Sequence, residues 1–210
     1  MLIRNKYIDI NDKIKFIKSK DYINVKTYKD IKLLIKKAKN SLYDNKGLII
    51  NKATGYTAKI TNKTINKIIH PKTNFKVFNS RYIDNLNASC YLKDLFENAI
   101  YIDTLKPMKQ KTNNQSEIGY HHFVAPLKMN NKCYKALITV KESINSKTLY
   151  VISVQIFTFN YFKNNILVKE LIDNIDIWNY DLQDYNHYDY NSFIAETAET
   201  IENELIWIIA

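Results

Sequence analysis

The sequence predicts an α+β fold, in which helices of the N-terminal half pack on one face of a small antiparallel sheet and a further helix is added at the C-terminus. Apolar residues recur at helical spacing in the first hundred positions, and runs of alternating apolar and polar residues begin near residue 119. Apolar side chains make up 46% of the 210 residues. A chain of this length and composition is expected to be globular and to bury a core.

The first half of the chain combines helical patterns with short strands. Pro71 ends the second helix, because proline cannot continue the helical hydrogen bonds, and Asn87 is placed to cap a third. The predicted elements are a helix over 28–44, strands over 47–53 and 56–60, a helix from Thr61 or Asn62 to His70, a loop over 71–86, a helix over 87–99 and a strand over 100–103.

The second half is richer in strands. The run at 149–159 is apolar on both faces, which is typical of a central strand. Pro126 has no N–H to donate, so its strand is expected to lie at a sheet edge or to bulge there. The predicted elements are a flexible loop over 106–116, a hairpin over 119–142, the strand over 149–159, a short helix over 165–172, an acidic loop over 176–190 and a last helix over 192–209.

The hairpin is the most informative segment, because its turn fixes which side chains meet. Asn130-Asn131 separates the two alternating runs, and asparagine tolerates the positive φ that a two-residue turn requires. A turn of those two residues places apolar side chains on one face and polar ones on the other, at about 5 Å across the strands. The predicted pairs are Phe123 with Ile138, Ala125 with Ala136 and Leu127 with Tyr134 on the apolar face, and His122 with Thr139 and Tyr120 with Lys141 on the polar face.

The charge changes sign along the chain. Residues 1–80 carry 19 Lys and Arg against five Asp and Glu, residues 81–169 carry 12 against six, and residues 170–210 carry none against ten. The basic body indicates a polyanionic partner, most commonly a nucleic acid, or else it reflects only a lysine-rich surface. The acidic end either folds over the basic surface as a brake or protein-docking segment, or is an amphipathic helix that completes the core.

Several functions are excluded or disfavoured by what the sequence lacks. It has no transmembrane run, no secretory signal and only two cysteines, Cys90 and Cys133, so a cytoplasmic protein is expected, with delivery into another cell left open. It has no glycine-rich phosphate loop and no pattern of zinc ligands. His121 and His122 point to opposite faces of a strand and do not readily share one metal ion. We expect neither a metal site nor a cofactor.

The polar face of the hairpin carries residues suited to cleaving RNA without a metal. Attack by the 2′-hydroxyl on the phosphorus needs a base, an acid for the 5′-oxygen and cations for the developing charge. His122 suits either proton role, and Lys141 supplies a positive charge, with Thr139, Tyr120 and Lys135 nearby. An ordinary solvent-facing side of a hairpin would also be polar, so this alternative stays open.

Five segments in order give the chain a resemblance to a known superfamily: Lys59–His70, Tyr91–Ile100, Tyr120–Met129, Tyr134–Glu142 and Lys147–Tyr150. With these segments the chain resembles the nuclease domains of the barnase/EndoU/colicin/RelE-like superfamily found in large polyvalent proteins of phages and mobile elements. The resemblance spans about 47–158. Residues 1–46 and 159–210 have no counterpart in it, and we expect them to form a basic helical extension and an acidic extension with a terminal helix.

The resemblance implies a metal-independent endoribonuclease, either toxin-like or phage-associated, with RNA as its substrate. Histidines would act as base and acid, lysines would hold the scissile phosphate, and hydroxyl groups would orient it. The catalytic candidates are His122, His70, Lys67, Lys141, Thr139 and Tyr150. The nucleic-acid-binding candidates are Lys59, Lys63, Lys135 and Tyr120.

Three alternatives accompany this interpretation. In the first, the domain is a module that binds nucleic acid or protein and has lost its catalytic activity. Fold alone does not distinguish the two. His70, just before Pro71, bonds the last carbonyls of its helix instead of reacting. A transferase such as an ADP-ribosyltransferase has no convincing arrangement of arginine, serine and glutamate in this sequence.

Overall fold

The fold is α+β, as predicted, and combines five helices with nine strands in the part of the chain that the structure describes. A computed structural model of the chain describes residues 12–70, 80–105, 117–143, 149–159 and 165–172. In chain order the elements are β1 (Lys13–Lys15), β2 (Ile17–Lys18), α1 (Tyr28–Asp44), β3 (Gly47–Ile50), β4 (Thr57–Ile60), α2 (Asn62–Ile69), α3 (Ser80–Ser89), α4 (Leu92–Glu97), β5 (Ile100–Leu105), β6 (Glu117–Met129), β7 (Lys132–Ser143), β8 (Leu149–Phe159), β9 (Asn165–Leu167) and α5 (Val168–Ile172).

The main sheet has the strand order β2-β6-β7-β8-β4-β3, and β5 also pairs with β6. Most neighbours are antiparallel, but β2 runs parallel to β6 and β4 runs parallel to β8, so the sheet is mixed. On one side of β6, the pairing with β5 ends at Val124 and the pairing with β2 begins at Leu127. Pro126 therefore lies in a local gap of an interior strand, where its missing N–H leaves no partner unsatisfied on that side.

The predicted register of the β6–β7 hairpin is confirmed. Asn130 and Asn131 have φ values of 48° and 57°, and Met129 faces Lys132. Phe123 faces Ile138 on the apolar face. On the polar face, His122 faces Thr139 and, two residues further along each strand, Tyr120 faces Lys141. The turn and the alternation of side chains together fix one register, because a slip by one residue would expose the apolar face.

One face of the sheet is covered by helices and contains the core. α1 and α2 each begin with a capping box, at Thr27 and Thr61, which satisfies N–H groups of the first turn. The helices bury one apolar side each against the sheet. The buried residues shared by this helix-covered face include Ile31, Leu34, Ala38, Leu42, Ile65, Ile69, Leu86, Leu95, Phe96, Phe123 and Ile138.

The helices after α2 differ from the prediction. Residues 80–86, predicted as loop, belong to α3, and the predicted helix from Asn87 is divided between α3 and α4. Asn87 is not a cap: its side-chain amide bonds the backbone N–H and carbonyl of Ile23, at 2.9 and 3.1 Å. A contact with a residue 64 positions away is not visible in local sequence periodicity.

The opposite face of the sheet, here called the outer face, is also covered. Val124 and Leu137 are buried there, and the Nζ of Lys135 donates to the carbonyl of Glu170 in α5 at 2.7 Å. The predicted helix over 165–172 is in fact β9 followed by α5, because β9 pairs with β1. Part of the outer face is therefore packed against α5 and is not exposed to solvent.

Some predictions fall outside the described residues: the loops over 106–116 and 176–190, residues 71–79 of the predicted loop over 71–86, and the last helix over 192–209. The domain boundaries at 46/47 and 158/159 stay predictions.

Within the described ranges, every helix is too short or too polar to cross a membrane.

The turn allows a direct test of what fixes the register. Replacing Asn131 by Val forces a β-branched residue into the left-handed conformation and is expected to lower the free energy of unfolding by about 1–2 kcal/mol. Replacing the same residue by Gly is expected to leave stability unchanged or slightly higher, since glycine prefers this position. Asn131 is exposed, so neither change alters burial. Urea unfolding followed by circular dichroism measures both, and equal stabilities would contradict the assigned turn.

Candidate functional site

A row of polar side chains crosses four strands near one end of the sheet. The register aligns Tyr120 of β6 with Lys141 of β7, Lys141 with Tyr150 of β8, and Tyr150 with Lys59 of β4. Tyr120, Lys141 and Tyr150 are half-buried, and Lys59 is exposed. We call these four residues the lysine–tyrosine row. Four of the sequence-predicted candidates are therefore neighbours.

Helix α2 brings two more lysines to this end of the sheet. The β7–β8 register shifts between Thr139 and Val140, which leaves Ile152 as an extra residue in β8. Next to this bulge, the carbonyl of Val151 accepts a hydrogen bond of 2.6 Å from the Oγ1 of Thr64. The bond anchors the first turn of α2 at the bulge, one strand away from β7.

Lys63 and Lys67 stand one turn apart on α2, and their charges reach Lys141. Burial first, and then repulsion by Lys63 and by Lys67, lower the pKa of Lys141 to about 8. We call these three residues the lysine cluster. A cluster of like charges around a partly buried amine is unfavourable by itself and favours the binding of an anion.

His122 and Thr139 face each other as predicted, but both are buried. The His122 side chain is 0% exposed, Thr139 is 1% exposed, and the Nδ1 of His122 lies 2.8 Å from the Oδ1 of Asp103. A fully buried imidazole has no direct access to a bound RNA strand in this conformation. The catalytic role of His122 stays a prediction, and the pair with Asp103 accounts structurally for its position.

A second histidine–carboxylate pair lies on the helix-covered face, and sequence reasoning missed it. The Nε2 of His121 lies 2.9 Å from the Oε2 of Glu142, and its Nδ1 lies 2.7 Å from the Oγ1 of Thr104. The hydroxyl of Tyr101 is 2.7 Å from that same Oγ1, and the hydroxyl of Tyr56 is 3.3 Å from the Nε2. We call these five residues the His121 network.

Electrostatics favour the neutral form of His121. Burial lowers the pKa of this imidazole, and the neighbouring His122 lowers it further, against the opposite effect of Glu142. The side chain of His121 is 3% exposed, whereas that of Glu142 is 26% exposed. Burial and the charge of Glu142 raise the pKa of Tyr56, so its hydroxyl keeps its proton.

A bulge in β5 explains why the network could not be seen in the sequence. Tyr101 faces Phe123, but Asp103 faces His122 and Thr104 faces His121, so Ile102 is an extra residue. The extra residue puts Tyr101 and Thr104, three positions apart, on one face. The adjacent His-His pair was the only signal available, because it places one imidazole on each face.

The remaining candidates lie elsewhere. His70 is the C-terminal cap of α2, where its N–H donates to the carbonyl of Asn66 at 2.9 Å. Although this residue is exposed, partial burial of the ring and the charge of Lys39 lower its pKa. Lys135 is buried under α5 and does not line the same surface as the lysine cluster.

Among the described residues, no three His, Cys, Asp or Glu side chains are grouped so that they could hold a metal ion.

The pKa of Lys141 tests whether the three lysines act together. Replacing Lys63 and Lys67 by Gln removes two repulsive charges, so the pKa of Lys141 is expected to rise from about 8 while staying below 10.5, because burial remains. The single change Lys59→Gln removes a charge from the lysine–tyrosine row but none from the lysine cluster. It is expected to leave the pKa of Lys141 unchanged. NMR titration of the lysine Cε signals measures all three proteins. An unchanged value in the double variant would contradict the cluster.

Comparison with known proteins places the whole site within one family. The sequence profile of the large polyvalent protein-associated domain 3 family matches residues 12–150, a span that contains both the lysine cluster and the His121 network. No curated protein and no solved structure matches the chain. The match confirms the polyvalent-protein part of the resemblance, while the nuclease part stays a prediction. The chain belongs to the large polyvalent protein-associated domain 3 family.

Proposed function

We propose that this domain binds RNA through the lysine cluster and cleaves it without a metal ion. The observation that carries the proposal is the convergence of Lys63, Lys67 and Lys141 at the end of the sheet where the lysine–tyrosine row crosses it. The phosphate backbone of RNA carries negative charge that would offset the mutual repulsion of these three lysines. Folding holds these amines together before any ligand arrives, so little reorganisation is needed on binding.

The tyrosines of the row add a second kind of contact. Tyr120 and Tyr150 flank Lys141 on neighbouring strands and are half-buried, so their rings are held by the sheet. Aromatic rings at such positions stack on unpaired bases, which contributes about 1–3 kcal/mol per base and tolerates any sequence. Together, the lysines and tyrosines fit a single-stranded RNA whose backbone passes over Lys141.

Cleavage by 2′-hydroxyl attack requires proton-transfer groups close to the bound phosphate. A partly buried amine with a pKa near 8 exists in both protonation states near neutral pH, which suits an acid or a base. Lys141 therefore combines phosphate binding with a proton-transfer role. This mechanism needs the 2′-hydroxyl, so DNA would bind without being cut.

A second candidate function is binding without cleavage. The burial of His122 and Thr139 favours it, because the two residues best placed for chemistry on the outer face are withdrawn from solvent. In that case the lysine cluster would hold a nucleic acid or an acidic protein and do nothing further to it. The two functions differ in one observable, the release of RNA fragments.

The first test concerns binding. Changing Lys63, Lys67 and Lys141 together to Gln is expected to reduce the slope of log K against log salt by about 2 for single-stranded RNA, at about 0.7 for each lost phosphate contact. The matched control changes Lys29, Lys32 and Lys36, which are exposed on α1 and carry the same total charge. Fluorescence anisotropy across a salt series measures both. Equal slopes in the two triple variants would contradict a dedicated phosphate site.

The second test concerns chemistry. Incubated with a labelled RNA oligonucleotide in EDTA, the wild-type protein is expected to release fragments that end in a 2′,3′-cyclic phosphate, and to leave a DNA oligonucleotide of the same sequence intact. Gel electrophoresis and mass spectrometry of the ends measure the outcome. Salt-sensitive binding of both oligonucleotides with no fragments would favour the binding module instead.

A further inference from the structure

Strand β3 lies at one end of the main sheet. Among the strands that the structure describes, it pairs only with β4, so one of its two edges has no neighbouring strand. We call this the free edge of β3. An unpaired strand edge presents backbone N–H and C=O groups to which another extended chain can bond. The free edge is short, since β3 contains only the four residues Gly47–Ile50.

The direction of the backbone groups in β3 follows from the turn that joins it to β4. The N–H of Asn51 donates to the carbonyl of Tyr56 at 2.8 Å, so Asn51 directs its backbone groups toward the returning strand. Along an antiparallel pair this direction alternates from one residue to the next. Ile49 therefore bonds to β4, whereas Leu48 and Ile50 direct their N–H and C=O groups to the free edge.

The same two residues carry exposed apolar side chains. Leu48 is 67% exposed and Ile50 is 55% exposed, whereas Ile49 between them is 2% exposed and belongs to the core. The alternation of side chains places Leu48 and Ile50 together on the outer face, where Leu48 stands opposite Lys59 of β4. Backbone groups without a strand partner and apolar side chains in water therefore occur at the same two positions.

Three exposed lysines surround the free edge: Lys46, Lys52 and Lys59. The segment 46–61 contains no acidic residue. In the part of the chain that the structure describes, the only ion pair of these lysines is that of Lys52 with Glu97, at 3.8 Å. An approaching strand that carries carboxylates is therefore attracted to this edge, whereas a second copy of β3 brings the same lysines and is repelled.

We propose that the free edge of β3 is a docking site for an extended, acidic segment of another protein, which adds to the sheet as a further strand. Backbone hydrogen bonds to Leu48 and Ile50 supply affinity, as in other cases of strand addition. Specificity comes from alternate side chains of the partner. Two apolar residues lie opposite Leu48 and Ile50, and acidic residues on either side of them meet the lysines. This docking does not depend on the RNA cleavage proposed above.

A symmetric peptide tests the site for either direction of the added strand. The probe is fluorescein-labelled Glu-Thr-Val-Thr-Val-Thr-Glu, which reads the same both ways and places its valines and glutamates on one face of a strand. The control peptide, Glu-Val-Val-Thr-Thr-Thr-Glu, has the same composition but places its valines on opposite faces. Fluorescence anisotropy with the full chain measures binding. The probe is expected to bind saturably, and the control peptide about tenfold more weakly.

Protein variants locate the bound peptide. Leu48→Lys is expected to weaken binding of the probe by about tenfold, because the apolar contact is lost, although the protein becomes more basic. The matched control is Leu33→Lys, since Leu33 is 56% exposed on α1 and the same charge is added. Its affinity is expected to stay within about twofold of the wild type. Methylated peptide amides report the strand direction: methyl groups on the valines block an antiparallel strand, and those on the threonines block a parallel one.

Four results would overturn the proposal. In the first, the probe does not bind, or Leu48→Lys binds it as tightly as the wild type. In the second, neither set of methyl groups weakens binding, so no strand is added. In the third, changing Lys63, Lys67 and Lys141 to Gln abolishes binding, which would make the probe a polyanion held by the lysine cluster. In the fourth, sedimentation equilibrium shows a wild-type dimer that Leu48→Lys dissociates, which would assign the free edge to a second copy.

Discussion

The arrangement of side chains on the sheet depends on two consecutive asparagines in the left-handed conformation. With φ values of 48° and 57°, Asn130 and Asn131 close the β6–β7 hairpin in two residues. This turn fixes which residue of β7 faces which residue of β6, and strands β5, β2 and β8 then add to that pair. A slip by one residue would carry Phe123 from the core to the outer face and exchange the positions of the two histidines.

The hairpin was predictable because its determinants are local, whereas the site depends on two irregularities that are not. Turn chemistry and the alternation of side chains can both be recognised from about 24 residues around the turn. The bulges at Ile102 and Ile152 arise from pairing with other strands, and no local sequence pattern indicates their positions. The first bulge brings Asp103 opposite His122 and Thr104 opposite His121, and the second lies next to the carbonyl that anchors α2. The partners of His121 and the anchoring of α2 on β8 could therefore not be predicted from the sequence.

Burial on the outer face illustrates the same division. Alternation correctly placed His122 and Thr139 on one face, but alternation cannot tell a polar row in water from a polar row beneath a second layer. Lys135 donates to the backbone of α5, so a segment distant in sequence covers part of this face. The division of α3 from α4 has a similar origin, since the amide of Asn87 is used by the backbone of Ile23.

In the lysine cluster, folding brings together side chains whose charges repel each other. Folding brings three ammonium groups together and partly buries one of them, and both effects disfavour the charged form of Lys141. The bulge at Ile152 interrupts the regular pairing of β7 with β8. Beside it, a backbone carbonyl of β8 anchors α2, which keeps Lys63 and Lys67 close to Lys141. A local conflict that the surrounding structure maintains is expected at a functional site rather than in a purely structural one. An anion bound there relieves the repulsion only in the folded state, so binding and folding stabilise each other. That gain requires charge and not sequence, so in the proposed function the cluster would supply affinity for a phosphate backbone, and any choice of substrate would come from the groups beside it.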